Sequence, residues 1–297
     1  MDAPLRVERP RPGVVLVTLS LPERRNAMTP ELTAAWAQAM AALQRDDTVR
    51  AVVVTGAGTA FCAGGDLSWL GHGHPADADS GGGTAEAHQP GADPGAVDTA
   101  GTAGTAGTAD AADAAQLRAR MYEFYRTWLR VRDLEVPVLA AVNGPAIGAG
   151  LCLALACDLR YAAPAARFSV PFLALGLHPG MAATYLLPEA LGMARAREML
   201  YTGRAVTAAE AAELGLVNHV VPADRLIEEV LDVAATVAAA APVAVRLTKA
   251  ALRHGPRSYA EALEWEALAQ PVTMATQDLQ EGLRAVAQKR PPRFEGR

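Results

Sequence analysis

The sequence predicts an α/β fold, with strands and helices alternating through the first two thirds of the 297 residues and helices alone after that. Three observations carry this expectation. Ala51–Gly56 and Val138–Val142 are short, Val-rich apolar runs, the pattern of strands buried on both faces. Each leads into a run of small residues, Cys62-Ala63-Gly64-Gly65-Asp66 after the first and Gly148-Ala149-Gly150 after the second. Beyond residue 224 the apolar positions recur at helical spacing.

Composition narrows the class. With 51% hydrophobic residues, the chain can bury a sizeable core in one large domain or two small ones. A net charge of −5 argues against a nucleic-acid partner, which calls for a basic stripe. The three cysteines, Cys62, Cys152 and Cys157, form no CxxC pair and predict a reducing compartment. The charged, proline-rich start MDAPLRVERPRPG lacks the apolar region of a secretory signal, and no apolar run reaches membrane-span length. The expectation is a cytoplasmic protein with no membrane partner.

Element by element, Val14–Leu19 reads as the first strand, closed by Leu21-Pro22. Thr29-Pro30-Glu31 is a helix start, with Thr29 as N-cap and Pro30 at the first helical position. Leu32, Trp36, Met40 and Leu43 continue that helix as a core-facing stripe. Residues 71–115 shift abruptly to Gly, Ala, Thr, Asp, Ser and Pro, with a literal Gly-Thr-Ala repeat at 101–109. Such a segment cannot bury enough apolar surface to offset its ordering entropy, so it reads as a low-complexity insertion within a compact domain. His72-Gly73-His74 lies inside it without further ligands at metal-binding spacing, and no metal is expected.

Residues 116–134 read as a helix with Leu117, Met121, Phe124, Trp128 and Val131 on its apolar side. Tyr122 and Tyr125 flank that stripe, and packing accounts for both. Short helices follow at 185–191 and 194–200. Thr207 caps another at 208–214, ended by Gly215, and 217–221 reads as a strand. Amphipathic helices at 224–240 and 243–254, with one or two more over 259–285, complete the chain.

The two small-residue turns carry the chemistry. A strand, a turn of small residues and a helix start leave backbone N–H groups in the open at a dipole's positive end. Two such turns can converge on one oxygen that becomes negative during reaction. Close packing is the competing reading of the same glycines.

The spelling and order of these stretches resemble the crotonase (enoyl-CoA hydratase/isomerase) superfamily over nearly the whole chain. Pro22-Glu23-Arg24-Arg25-Asn26-Ala27-Met28, both turns, Leu214-Gly215-Leu216-Val217-Asn218 and Lys289-Arg290-Pro291-Pro292-Arg293-Phe294 carry the likeness. It implies a crotonase-like ββα spiral core over 1–205, holding the insertion, and a C-terminal helical trimerisation region over 206–297. It also implies a homotrimer or dimer of trimers, and an acyl-CoA thioester as partner, with CoA entering as part of the substrate and no separate cofactor. The thioester oxygen would sit between the N–H groups of Gly65 and Ala149. Arg24, Arg25, Ala27, Ala63, Gly64, Asp66, Leu67, Phe172, Lys289 and Phe294 would line the substrate and CoA site, with Ala63 beside the adenine.

The resemblance also places the family's two hydratase glutamates at Cys152 and Phe172, and a further acidic position of some members at Gly180. None of these is a carboxylate. Proton transfer would then fall to another group: Cys152, in an apolar helix where thiols are usually inert; His178, in the turn Gly176-Leu177-His178-Pro179-Gly180; or Tyr125, which matches a position some members use. Asp66 is more simply a brace for the first turn, and Glu189 a surface charge. Three outcomes remain: an acyl-CoA enzyme with a non-standard acid or base, a catalytically weak acyl-CoA binding or carrier protein, and a structural protein on the same scaffold.

Overall fold

The computed structural model describes residues 3–66, 109–256 and 258–297. By internal contacts the chain divides into two compact units. One comprises residues 1–65 and 124–297, and the other residues 66–123. Of the second unit, Asp66 and the first turns of a helix are described.

The larger unit is built on a six-stranded sheet. Its members are β1 (Leu5–Arg11), β2 (Val14–Leu19), β3 (Ala51–Gly56), β4 (Val138–Val142), β6 (Leu159–Ala162) and β9 (His219–Val220), in the order β1-β2-β3-β4-β6-β9. Every pairing is parallel except β1 with β2. A three-stranded sheet joins β5 (Ala146–Ile147), β7 (Arg167–Ser169) and β8 (Val206–Thr207). The helices are α1 (Pro30–Gln44), α2 (Ala109–Leu129), α3 (Ala149–Ala156), α4 (Ala183–Leu191), α5 (Met193–Thr202), α6 (Ala208–Glu213), α7 (Leu226–Ala238), α8 (Pro242–His254), α9 (Tyr259–Met274) and α10 (Gln277–Gln288). The arrangement is the expected mixed α/β fold closed by C-terminal helices. No single helix among the described residues is long and apolar enough to cross a membrane.

The period-two alternation of side chains divides the sheet's two faces. On β3, Val52 and Val54 join the larger core with Leu32, Trp36 and Met40 of α1 and Leu151 and Leu153 of α3. Ala51 and Val53 face the opposite way, into a second core with Leu226, Val230 and Ala234 of α7. A parallel sheet covered on both faces needs continuous apolar strands, which is why β3 and β4 stand out in the sequence. Thr29 caps α1 as expected, its side chain accepting from the Leu32 N–H at 3.2 Å. Thr207 does the same for α6 through Glu210.

Several expectations are corrected. Val14–Leu19 is the second strand, because β1 precedes it across a turn at Gly13. β1 buries only Leu5, and an edge strand of this kind tolerates the arginines and Pro10 that hide it from an apolar pattern. α2 begins at Ala109 rather than 116, so residues 109–115 belong to a helix and not to the insertion. The run ADAADAA is alanine-rich, and alanine is the best helix former. The helix also ends earlier, at Leu129, passing into a 3-10 turn at Arg130–Asp133. The strand at 217–221 contracts to His219–Val220. Residues 71–108, with His72, His74 and most of the Gly-Thr-Ala repeat, lie outside the described residues.

Candidate active site

The two small-residue turns lie against each other at the C-terminal ends of β3 and β4. Parallel bridges pair Cys62 with Ala146 and Met28 with Gly65. The Cys62 N–H donates to the Pro145 carbonyl at 3.1 Å, and the Ile147 N–H returns a bond to the Cys62 carbonyl at 3.0 Å. Glycine is required where backbone meets backbone. A Cβ on Gly150 would lie 2.2 Å from the Cys62 carbonyl oxygen, and one on Gly144 2.0 Å from that of Thr59. The packing reading of the small residues therefore holds at these two positions.

Gly64 shares this close packing, and Gly65 does not. Gly64 takes φ +100°, and a Cβ there would sit 2.7 Å from the Ile147 oxygen and 3.4 Å from the Ala149 nitrogen. Around Gly65 the space is open, and a Cβ added there would meet nothing within 4 Å. Gly148, at φ +54°, turns the chain into α3, and its N–H donates to Ser169 at 2.8 Å. Ala149 is the first residue of α3, so helix geometry gives its N–H no partner within the helix. Among the described residues, neither the Gly65 nor the Ala149 N–H has an acceptor. Two unsatisfied donors on adjoining turns, one at a helix N-terminus, can hold an oxygen that gains charge.

The loop carrying Arg24, Arg25 and Ala27 is tied to the first turn. The Arg25 carbonyl accepts from the Ala63 N–H at 3.0 Å, and the Met28 N–H donates to Gly64 at 2.8 Å. Asn26 holds the loop in place. It is fully buried, accepts from the Leu21 N–H at 2.9 Å and donates to the Ala57 and Ala60 carbonyls at 2.9 and 2.8 Å. Arg25 and Asn26 both take left-handed φ, 50° and 55°, to make this turn. Asn143 braces the other side, accepting from the Gly56 N–H at 3.2 Å and donating to Gly58 at 3.0 Å. These roles of Asn26 and Asn143 are not visible in a turn-like sequence. The arginines and Ala63 remain exposed beside the turn, and Asp66 is buried. Leu67 lies outside the described residues.

Phe172 is half-buried, with its ring 3.8 Å from where a Gly148 Cβ would be. Cys152 is fully buried in α3, and burial pushes its thiol up to about 12. Its Sγ lies 3.9 Å from the Gly180 carbonyl oxygen. Tyr125 is half-buried with its hydroxyl over Gly180, and its pKa is raised by burial and then by Cys152. His178 is exposed, with Nδ1 2.8 Å from the Pro179 oxygen, and no hydrogen bond among the described residues joins it to either turn. Glu189 is not a lone surface charge, because both its oxygens accept from Arg132 at 3.0 Å.

Phe294 is not brought to this site. The Phe294 carbonyl accepts from Arg50 at 3.4 Å. Arg50 precedes β3, whereas the first turn follows its far end. The six residues of β3 span roughly 20 Å at ~3.3 Å each, and that length separates the two groups.

Fold and site together define an α/β protein that carries two unsatisfied backbone donors on adjoining turns. A family model described as Enoyl-CoA hydratase/isomerase matches residues 9–90 and 97–297. The chain belongs to this family, the crotonase family. It is similar to the enoyl-CoA hydratase of Bacillus anthracis, with a TM-score of 0.82 at 31% identity over 99% of this chain and 100% of that one. A monofunctional enoyl-CoA isomerase from M. smegmatis matches at TM-score 0.65 and 33% identity, covering 88% of this chain and 99% of its own. The protein YngF of Bacillus subtilis (strain 168) is 34% identical over 285 residues, 95% of each chain.

Proposed function

We propose that the chain is a lyase or isomerase of acyl-CoA thioesters that holds the thioester carbonyl between the N–H groups of Gly65 and Ala149 and stabilises the enolate formed there. The observation that carries this reading is the pair of unsatisfied donors on two turns locked together by backbone packing. Removing or adding a proton next to a thioester builds charge on its oxygen, and one such donor contributes roughly 10²–10³ in rate. Ala149 keeps the N–H of a glycine and adds only a methyl. The exposed Arg24, Arg25 and Ala63 beside the first turn suit the phosphates and adenine of CoA. Three unbridged, buried thiols fit work in a reducing cytoplasm.

The reading includes a departure from ordinary hydration. The positions that the resemblance gives to the two glutamates carry a fully buried thiol, held neutral, and a phenyl ring. Without those carboxylates, each worth about 10²–10⁴ as a general acid or base, hydration of a simple enoyl-CoA is slow. The same observation favours a second reading, an acyl-CoA binding or carrier protein with little turnover.

One experiment tests these readings. CoA-thioester binding is measured by calorimetry for the parent and for Gly65→Pro, in which the donor is removed. Turnover of an acyl-CoA panel including crotonyl-CoA is followed alongside. The proposal expects binding by the parent and its loss in a folded Gly65→Pro variant. Unchanged affinity in that variant refutes the placement. Crotonyl-CoA turnover at hundreds per second refutes the missing-acid reading, and binding without turnover of any thioester supports the carrier.

A further inference from the structure

Tyr125 is a group that the oxyanion argument leaves unused. A Cβ on Gly180 would lie 2.5 Å from the Tyr125 Oη, 3.0 Å from Cζ and 3.3 Å from Cε1. The end of the phenol thus fills the space that any side chain at 180 would need. Gly180 also presents its carbonyl to Cys152, which follows Ala149 by three positions on α3. Residues three apart on a helix are neighbours on one side, so Cys152 lies about one helical turn from the Ala149 donor, and the phenol stands beyond it, against Gly180, on that same side of α3. Tyr125 is only half-buried, and among the described residues its hydroxyl has no hydrogen-bond partner.

We propose that Tyr125 is a catalytic residue that carries the proton to and from the α-carbon of the bound thioester. This deepens the proposed function and rests on the thioester placement at Gly65 and Ala149. In the donating direction, the electron pair of the enolate carbon–carbon double bond takes the proton of the Tyr125 O–H. A C–H bond forms, the O–H bond breaks, the carbonyl is restored between the two N–H groups, and solvent returns a proton to the phenolate. In the reverse direction the phenolate removes the α-proton, and the electron pair moves onto the thioester oxygen.

The surroundings favour donation at neutral pH. The element facing the phenol from α3 offers Cys152, whose thiol is pushed up to about 12 and carries no charge. Gly180 has no side chain, and Phe124 on the same helix supplies an edge-on ring at 6.1 Å. Burial, first, and the neighbouring Cys152 hold the phenol's pKa above its usual 10.0. A group that keeps its proton suits reactions that end by protonating an enolate produced by addition or bond cleavage at the neighbouring carbon. In the reverse direction only the phenolate fraction removes the α-proton, so that step quickens as pH rises towards the phenol's pKa.

Exchange of the α-hydrogens of butyryl-CoA in D2O reads this step directly, with affinity for butyryl-CoA measured in parallel. Tyr125→Phe removes one oxygen and leaves the ring against Phe124. The parent is expected to exchange one α-hydrogen, at a rate rising about tenfold per pH unit below the phenol's pKa as the phenolate fraction grows. Tyr125→Phe is expected to lose about 10²–10⁴ of that rate and its pH slope while binding butyryl-CoA as before. Three results overturn the proposal: exchange by Tyr125→Phe at the parent rate, loss of exchange in proportion to affinity, and binding by the parent without exchange above buffer. Failure of the parent to bind butyryl-CoA overturns the thioester placement as well.

Discussion

At the scale of single residues, the candidate donors are legible in the sequence because a backbone N–H asks only for a small side chain. Gly65 and Ala149 can be read from a strand followed by small residues. The packing partners of their neighbours cannot, since nothing in the spelling of Gly150 indicates that the Cys62 carbonyl lies against it. Nor does Gly180 reveal the phenol of Tyr125, contributed by a distant helix. Asn26 looks like a turn residue and is in fact a buried brace with three hydrogen bonds. Gly150→Ala is the sharpest test of the locked turns. Its methyl would meet backbone at 2.2 Å, which no rotamer change relieves. Overpacking of this kind costs about 1–3 kcal/mol or more, so a folded variant is expected to show a lowered urea midpoint at constant slope. An unchanged midpoint would mean that the two turns can separate freely.

Among the secondary elements, legibility follows burial. β3 and β4 are apolar throughout because both faces are covered, whereas β1 shows the sheet only Leu5 and reads as a charged leader. The C-terminal tail displays a different determinant. Lys289 ends α10 in a left-handed conformation, and carboxylates of α10 then strap the following residues back. Asp278 accepts from the Glu295 and Gly296 N–H groups at 2.8 and 2.9 Å. Glu281 accepts from Arg290 at 2.5 and 3.0 Å and from the Arg293 N–H at 3.0 Å. Arg290, with help from that N–H, holds the Glu281 carboxyl down at about 2, from an ordinary value of 4.5. The folded value is the lower one, so the strap's contribution is complete above about pH 4.5 and is lost as pH falls through about 2. Protection of the Arg293 amide, taken against its intrinsic exchange rate at each pH, is expected to fall across that window. In Glu281→Gln that protection should already be lost at neutral pH and show no such acid step.

For the whole molecule, the last two helices are the part that one copy leaves unfinished. α9 buries none of its residues, and Tyr259, Leu268 and Val286 are 80%, 74% and 80% exposed. Phe294 also lies about a strand's length from its own chain's turns. A homotrimer or a dimer of trimers, with 206–297 as its assembly region, would cover the first and could bring the second to a neighbour's CoA. Sedimentation at micromolar concentration is expected to show that assembly, and Leu268→Glu with Val286→Glu to dissociate it. A monomeric parent would count against it. The sheet's connectivity has a consequence of its own. β3 and β4 pair along their length, Val52 against Val138, so the chain from Gly56 to Val138, which carries the first turn and α2, leaves and re-enters the sheet at neighbouring strands. Closure entropy grows only with the logarithm of loop length, and each doubling costs about 0.6 kcal/mol. Residues added to that connection as flexible chain therefore cost little closure entropy, while the two turns at the strand ends stay in register.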